Sequence, residues 1–596
     1  MNKSLPLQNN KVFSSYGGVG SMIDTIDDLS IMIDPFDKWA PLYDQICAGR
    51  HRELEIKEPR LCAMVKSIGF DSLEGFFKLD TSLDDDPGFK AYAPRLDDKN
   101  RMVKTTFFPS WFYCPKCHEF KPLQEWRDSW LDAEGLDDKF DQYAPACSAC
   151  AKQKGNGKRP RIQQTRFVMA SMESGEIMDI PWRKVFAKKG RSDSSNALVW
   201  RFDRFSEESQ KVEYHVSDAS TNLARIYVKN EHGVKVSMAE IFSHYFVIAM
   251  NGETRVFRPV VRSDNNVYFG YNLNCIYIPE VTLSDSEVNS IKDAYENGIV
   301  SPTVIKRITR VTCSEATIQQ LIDENFQLPE HSYSSEDAFR KEEFDFLTNG
   351  DNYSPLGDYV NPERRLISHV YTFNGAKPHY IKSIHYQSRL NVTTVQLAYS
   401  RIDKLSPTCI PQWGGQNNPA KEWYIPALDT VDSVDVALHP TCQGDKGTIL
   451  RMPALSSYGE GFLVELDLET IPDLNHKLMF LHTFSHLLIK ELEFVCGYPA
   501  ASMNERLYFF PEDKKYGFLI YSIGGAAGSY GGITSIFQSN DIERIIQNAS
   551  ERASDCSNDP ICESEGGHCF ACVHLPETSC ERFNQELSRN IFNQYK

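Results

Sequence analysis

The chain has no long hydrophobic run. None of its 596 residues opens a stretch approaching 18 consecutive apolar side chains, and the longest runs, such as Phe484 to Ile489, are short and interrupted. Nothing in it is therefore expected to span a bilayer. Met1 to Asn10 carries no apolar core after its lysine, so no secretory signal peptide is expected, and a reducing cytoplasm is the expected setting. A Walker A loop, a dinucleotide fingerprint and a G-x-S-x-G elbow are all missing, which argues against a free-standing motor or a hydrolase. Positive charge is also short: 64 Lys and Arg stand against 81 Asp and Glu, a formal net charge of −17. Bulk charge cannot hold such a chain to nucleic acid, and any binding of that kind must use a local basic surface. Cysteine is scarce too. Sixteen in the whole chain fall well below the roughly 8% of a secreted disulfide scaffold.

What is present is concentrated. Nine of the 16 cysteines lie in two clusters. Cys114-Pro-Lys-Cys117 and Cys147-Ser-Ala-Cys150 form two CxxC knuckles. Each tight turn can bring two thiolates onto one tetrahedral ion, and two turns complete a four-cysteine zinc site. The insert between them, containing Trp126 and Trp130, is expected to form a small hairpin or helix within a zinc ribbon. The second cluster holds Cys556, Cys562, Cys569, Cys572 and Cys580, with His568 and His574 nearby. Four ligands suffice. The expected set is Cys562, Cys569, Cys572 and Cys580, with Cys556 as the competing ligand. Neither cluster has the carboxylate companion of a hydrolytic zinc, so two structural Zn2+ sites are expected. The other seven cysteines are scattered and are expected to be mostly buried apolar thiols.

The one strongly basic stretch adjoins the first cluster. Lys152, Lys154, Lys158, Arg159, Arg161 and Arg166 follow it, and Arg183, Lys184, Lys188, Lys189 and Arg191 come next. These cations can neutralise several phosphates, with a steep salt dependence; a solvated loop beside the zinc ribbon is the alternative.

Other motifs read as structure. Tyr16-Gly17-Gly18-Val19-Gly20-Ser21 is expected to be a tight glycine turn, because no lysine follows it in Walker spacing. The same argument makes the glycine run 524–532 a strand-to-helix turn. His482 and His486 share a helix face, but Thr483 stands where a zinc protease has its glutamate, so packed, hydrogen-bonded histidines are expected. Leu474 to Val495 and Ile542 to Ala553 have helical periodicity, and Gly497 stops the first. A helix is expected over Ser284 to Asn297, and strands over 256–261, 266–269, 275–278 and 516–523. Residues 84–87 and 404–450 read as loops.

The expected fold is α+β and multidomain, with an N-terminal zinc ribbon and a C-terminal cysteine-rich, zinc-binding α/β domain. At about 150 residues per domain, the expected segments are 1–110 (mixed α/β), 111–195 (zinc ribbon with the basic stretch), 196–403 (β-rich), 404–470 (linker and strands) and 471–596 (zinc-binding).

The C-terminal motif, from Cys556-Ser-Asn-Asp-Pro-Ile-Cys562 through His568-Cys569-Phe-Ala-Cys572 to Pro576-Glu577-Thr-Ser-Cys580-Glu581, resembles the cysteine-rich domain of MrfA-type helicases. More closely, it is similar to the DrmB family of DISARM anti-phage defence systems. Supporting stretches are Tyr16 to Ser21, the paired knuckles, Arg166-Phe-Val, Asp179-Ile-Pro-Trp182, Asn266 to Phe269, Gly459-Glu-Gly-Phe462 and His482 to His486 with Cys496-Gly-Tyr498. A further cysteine pair common in such relatives has no counterpart, since 192–240 contains no cysteine. The resemblance implies a bacterial, non-catalytic partner of a DrmA-like helicase, with ATP handled by that partner and DNA, phage DNA above all, as the shared target. It implies no membrane and no small-molecule substrate. Two other classes compete: an interaction scaffold that never touches DNA, and a metal-dependent nuclease or hydrolase using His482 and His486.

Overall fold

The computed structural model describes residues 17–24, 29–39, 46, 54–78, 103–133, 140–141, 144–154, 160–171, 176–186, 198–202, 208–216, 222–250, 253–264, 267–278, 285–311, 313, 315–323, 325–326, 332–349, 366–401, 439–440, 448–497, 499–523, 532–576, 579–582 and 584–596. Residues 84–87, most of 404–450 and the glycines 524–531 lie outside that set.

A nine-stranded sheet organises the chain. Its spine is the 20-residue strand Ile381–Ser400, antiparallel to Phe269–Ile276 on one side and to Arg451–Leu466 on the other. Lys515–Ile523 and Met503–Phe510 continue it to one edge, and Gly75–Lys78 runs parallel to Arg451–Ala454. Strands from four of the five expected segments thus share one sheet. Close strand approach explains Gly461, where an added Cβ would stand 2.7 Å from the Ile520 carbonyl oxygen. The expected strands at 266–269 and 275–278 meet in one element, Phe269–Ile276.

Helices cover both faces, which is why Leu390 to Ala398 is buried residue after residue instead of alternating. Leu474–Cys496 covers one face. Asp473 caps it by accepting the His476 N–H at 2.8 Å, and Gly497 ends it at φ 69°. Its Phe480, Leu481, Phe484, Leu488 and Leu492 share a core with Asp541–Arg552 and Arg589–Tyr595. Glu336–Asn349 sits opposite, packing Phe344 and Leu347 among Tyr508, Phe510 and Leu519.

The remainder is modular. A six-stranded sheet includes Trp111–Tyr113, Glu119–Pro122, Gln163–Gln164 and Val212–His215, and shares an aromatic core with a five-stranded sheet built on Phe167–Ala170 and Glu253–Val261. Asp285–Glu296, the helix expected near 284–297, joins Pro302–Thr309 and Glu315–Asp323 around Ile291, Ile305 and Ile318. The fold is mixed α+β. No helix among the described residues is long and apolar enough to cross a membrane.

A line of buried charges ties together elements packed around the nine-stranded sheet. Glu343 accepts from the Ile276 N–H at 3.1 Å and from Arg506 Nε at 2.7 Å, and Arg60 Nη1 lies 3.9 Å away. Arg506 Nη1 reaches Glu581 at 3.7 Å, and Glu581 also takes Arg340 at 2.7 Å. Glu343 and the arginine side chains of Arg60 and Arg506 are essentially inaccessible.

Candidate metal centres

Three groups of metal-capable side chains stand out among the described residues, each with its ligand atoms all within 4.8 Å of one another.

The first is the expected one. Trp111–Tyr113 and Glu119–Pro122 pair antiparallel, and the turn between them carries Cys114 and Cys117. Cys114 N–H donates to Glu119 O at 2.9 Å, His118 N–H donates to Cys114 O at 2.8 Å, and His118 takes φ 63° to close the knuckle. Cys147 and Cys150 lie at the start of Ser148–Lys154. The Cys114–Cys150 and Cys117–Cys147 sulfurs are 3.8 and 3.7 Å apart. That excludes disulfides, which need ~2.05 Å. It matches the ~3.8 Å edge of a tetrahedral site with metal–sulfur bonds of ~2.3 Å. The insert is the helix Leu123–Leu131, and Trp126 packs with Phe112, Leu123 and Ile162 behind the cysteines. A hydrogen bond from Cys147, helped by the Cys117 and Lys116 amides, brings the Cys114 thiol down to about 5, while burial pushes Cys117 up to about 12. A bound dication would favour the thiolate form of its ligands.

The second group is Cys556, Cys562, Cys569 and Cys572. Sulfur separations are 3.5 Å for Cys556–Cys569, 3.6 Å for Cys562–Cys572 and 3.7 Å for Cys569–Cys572. The turn at Cys569 aims the Cys569 N–H at Cys572 Sγ, 3.2 Å away. Burial works against ionisation here, but the Cys572 and Ala571 amides and the Cys556 thiol hold Cys569 down to about 6. Cys562 and Cys572 belong to the core under Leu474–Cys496.

The expected fourth ligand, Cys580, falls elsewhere, and Cys556 takes its place. The reason is packing on the sheet. Glu505 N–H donates to Ser579 O at 3.0 Å, which pins the Cys580 loop beside Met503–Phe510. Cys580 Sγ lies 3.3 Å from His482 Nε2. It forms the third group with His482, His486 and Glu505, all buried. His482 and His486 are packed side by side in the core: Nε2 of each faces Glu505 Oε1, at 3.0 and 3.4 Å. Glu505 carries no signal in the sequence; it stands between Asn504 and Arg506 in the strand Met503–Phe510, within no metal-ligand spacing.

Of the basic residues, Arg161 and Arg166 are exposed. Arg183 is held by Glu125 at 2.7 Å and Lys184 lies 3.3 Å from Glu208. Lys158, Arg159, Lys188, Lys189 and Arg191 lie outside the described residues, as do the side chains of Lys152 and Lys154. The described part of the first glycine-rich motif is filled by the protein itself; residues 524–531 of the second lie outside the described residues. Val19 N–H donates to Gln396, and Gly20 O and Val19 O accept from Arg401 and Tyr268. At the start of Gly532–Ser539, Ile533 and Thr534 N–H donate to Glu460 at 3.1 and 2.9 Å, which occupies the place an anion would take. Among the scattered cysteines, Cys275 and Cys313 are buried thiols; Cys47, Cys409 and Cys442 and the Cys496 side chain lie outside the described residues.

The DISARM protein DrmB of Bacillus paralicheniformis is 24% identical over 556 residues, covering 83% of this chain and 89% of its own length. The chain is similar to DrmB. The likeness to DrmB spans most of both chains rather than resting on a terminal motif alone. A family model described as "Domain of unknown function (DUF8724)" matches residues 8–269. A solved structure, that of the DUF1998 helicase MrfA bound to DNA, matches at 10% identity and a TM-score of 0.22, over 39% of this chain and 24% of that one.

Proposed function

We propose that the chain is a non-catalytic, DrmB-type subunit of a DISARM-type anti-phage complex, partnered with a DrmA-like helicase that supplies ATP hydrolysis. The observation that carries this is the extended DrmB similarity. The two four-cysteine groups are read as structural zinc sites: tetrahedral sulfur spacing and four protein ligands leave no open position for catalysis. Zinc would hold Cys114, Cys117, Cys147 and Cys150 as one platform, and Cys556, Cys562, Cys569 and Cys572 as the other.

DNA contact is assigned to the basic stretch beside the first platform. Arg183 and Lys184 are occupied by Glu125 and Glu208 and contribute little; Lys152, Lys154, Lys158, Arg159, Arg161 and Arg166, with Lys188 and Lys189, carry the reading. Charge reversal at Lys152, Lys154, Lys158 and Arg159 separates this from a scaffold that never touches DNA. The complex should then bind DNA at least tenfold more weakly at moderate salt, with a shallower dependence of log affinity on log salt. An unchanged affinity and slope would assign the chain to docking alone.

A further inference from the structure

We propose that His482, His486, Glu505 and Cys580 form a third metal centre, a closed site of two imidazoles, one carboxylate and one thiolate for a zinc-class divalent cation, independent of the two four-cysteine groups. The ligand atoms are His482 Nε2, His486 Nε2, Glu505 Oε1 and Cys580 Sγ, all within 4.8 Å of one another. The two histidines are fully buried, and Glu505 and Cys580 are 2% and 5% exposed.

The edge lengths are within a few tenths of an ångström of those of a coordination site. A tetrahedral site with metal–nitrogen and metal–oxygen bonds of ~2.0 Å and a metal–sulfur bond of ~2.3 Å has N···O edges of ~3.3 Å and N···S edges of ~3.6 Å. The observed edges are 3.0 and 3.4 Å for the two imidazoles to Glu505, and 3.3 Å for His482 to Cys580.

Proton accounting points the same way. His486 Nδ1 lies 2.7 Å from Val573 O. A carbonyl can only accept, so Nδ1 carries a hydrogen. In a neutral ring Nε2 then presents a lone pair, and what it faces is the Glu505 carboxylate oxygen, another acceptor. Two buried acceptors aimed at each other need a cation between them. A proton would satisfy that pair alone; a metal ion also accounts for Cys580 closing the same group. Glu505 is prepared as a one-oxygen ligand: Ser485 Oγ donates to its Oε2 at 2.5 Å, leaving Oε1 to face the histidines, steadied by the Glu581 N–H at 3.1 Å. Val573 O and Ser485 are thus the outer partners that orient metal ligands in such sites. His482 Nδ1 has no partner among the described residues, so its contacts at Nε2 are what hold that ring.

With four protein ligands the site is closed, and its role is structural. It would clamp the helix Leu474–Cys496 and the strand Met503–Phe510 to the C-terminal loop, and through Cys580-Glu581 to the buried charges around Arg340 and Arg506.

The test is metal analysis of the purified full chain, reconstituted with zinc alone. Three zinc ions per chain are expected, and X-ray absorption should give a mean of three sulfurs and one nitrogen or oxygen per zinc, since nine cysteines and three other ligands would then be shared among three ions. Cys580→Ala should lower the count to two and raise the mean to four sulfurs. Two zincs with four sulfurs each in the unaltered chain would overturn this site while leaving both cysteine sites standing. So would a Cys580→Ala chain that folds and keeps all its zinc. Should that variant fail to fold, the count and coordination of the unaltered chain decide alone.

Discussion

Cys572→Ser should release one zinc ion per chain and unfold the C-terminal region. Cys572 is at once a ligand and part of the largest core, 2% exposed among Val573, Leu575 and the helix Leu474–Cys496. Its sulfur neighbours Cys562 at 3.6 Å and Cys569 at 3.7 Å. A structural zinc contributes apparent binding free energy of ~10–16 kcal/mol in small domains, so losing one of four thiolates removes more than a marginal fold can lose. Zinc content and circular dichroism, read together, check it. Cys313→Ala is the matched control: a buried thiol in a separate helical core, whose loss should leave the zinc count unchanged. Should both variants retain the same zinc, the second four-cysteine site does not exist.

Glu343→Ala should cost ~3–5 kcal/mol of stability, the typical penalty for leaving a buried charge without its partner. Here two buried arginines each lose one carboxylate, and Arg506 is left with Glu581 at 3.7 Å. Arg506 loses the carboxylate bonded at 2.7 Å, and Arg60 loses its 3.9 Å neighbour while keeping Glu342 at 2.9 Å. The Ile276 N–H at the end of a sheet strand also loses its acceptor. Since Arg60, Ile276, Glu343 and Arg506 come from four distant parts of the chain, the loss should appear as one cooperative shift of the whole chain in denaturant. The counter-variant Arg506→Met with Glu343→Leu removes both charges and should recover much of the stability, as replacement of buried ion pairs by apolar groups often does. A Glu343→Ala chain as stable as the parent would show that the charges are solvated in solution.

What could be read from the sequence was local. Both CxxC knuckles were legible because the ligands of each pair sit three residues apart, and the turn that unites them is short. The helix Leu474–Cys496 was legible from its period, its Asp473 start and its Gly497 stop. Nearness in sequence groups Cys580 with the adjacent thiols for the same reason, whereas the structure sets its sulfur beside His482. Its actual neighbours, His482 and Glu505, lie 98 and about 75 residues away, joined by sheet packing that leaves no local mark. The central sheet was hidden likewise. Ile381–Ser400 pairs with strands on both sides of the 402–438 region, and its second half, Asn391 to Ser400, mixes Val and Leu with Asn, Thr and Gln without the strict alternation that marks a strand. Composition shifts mark where loops lie, and this sheet runs across them.

In the proposed function this chain serves a helicase. The most direct measurement is the DNA-dependent ATPase rate of a DrmA-like helicase from the same source, with and without this chain, after the two have been co-expressed and purified through a tag on one of them. Stable co-purification and a change of at least severalfold in the DNA-stimulated rate, lost with the charge-reversed variant, is the predicted result. Separate elution, with an ATPase indifferent to the chain at every DNA concentration, would contradict it.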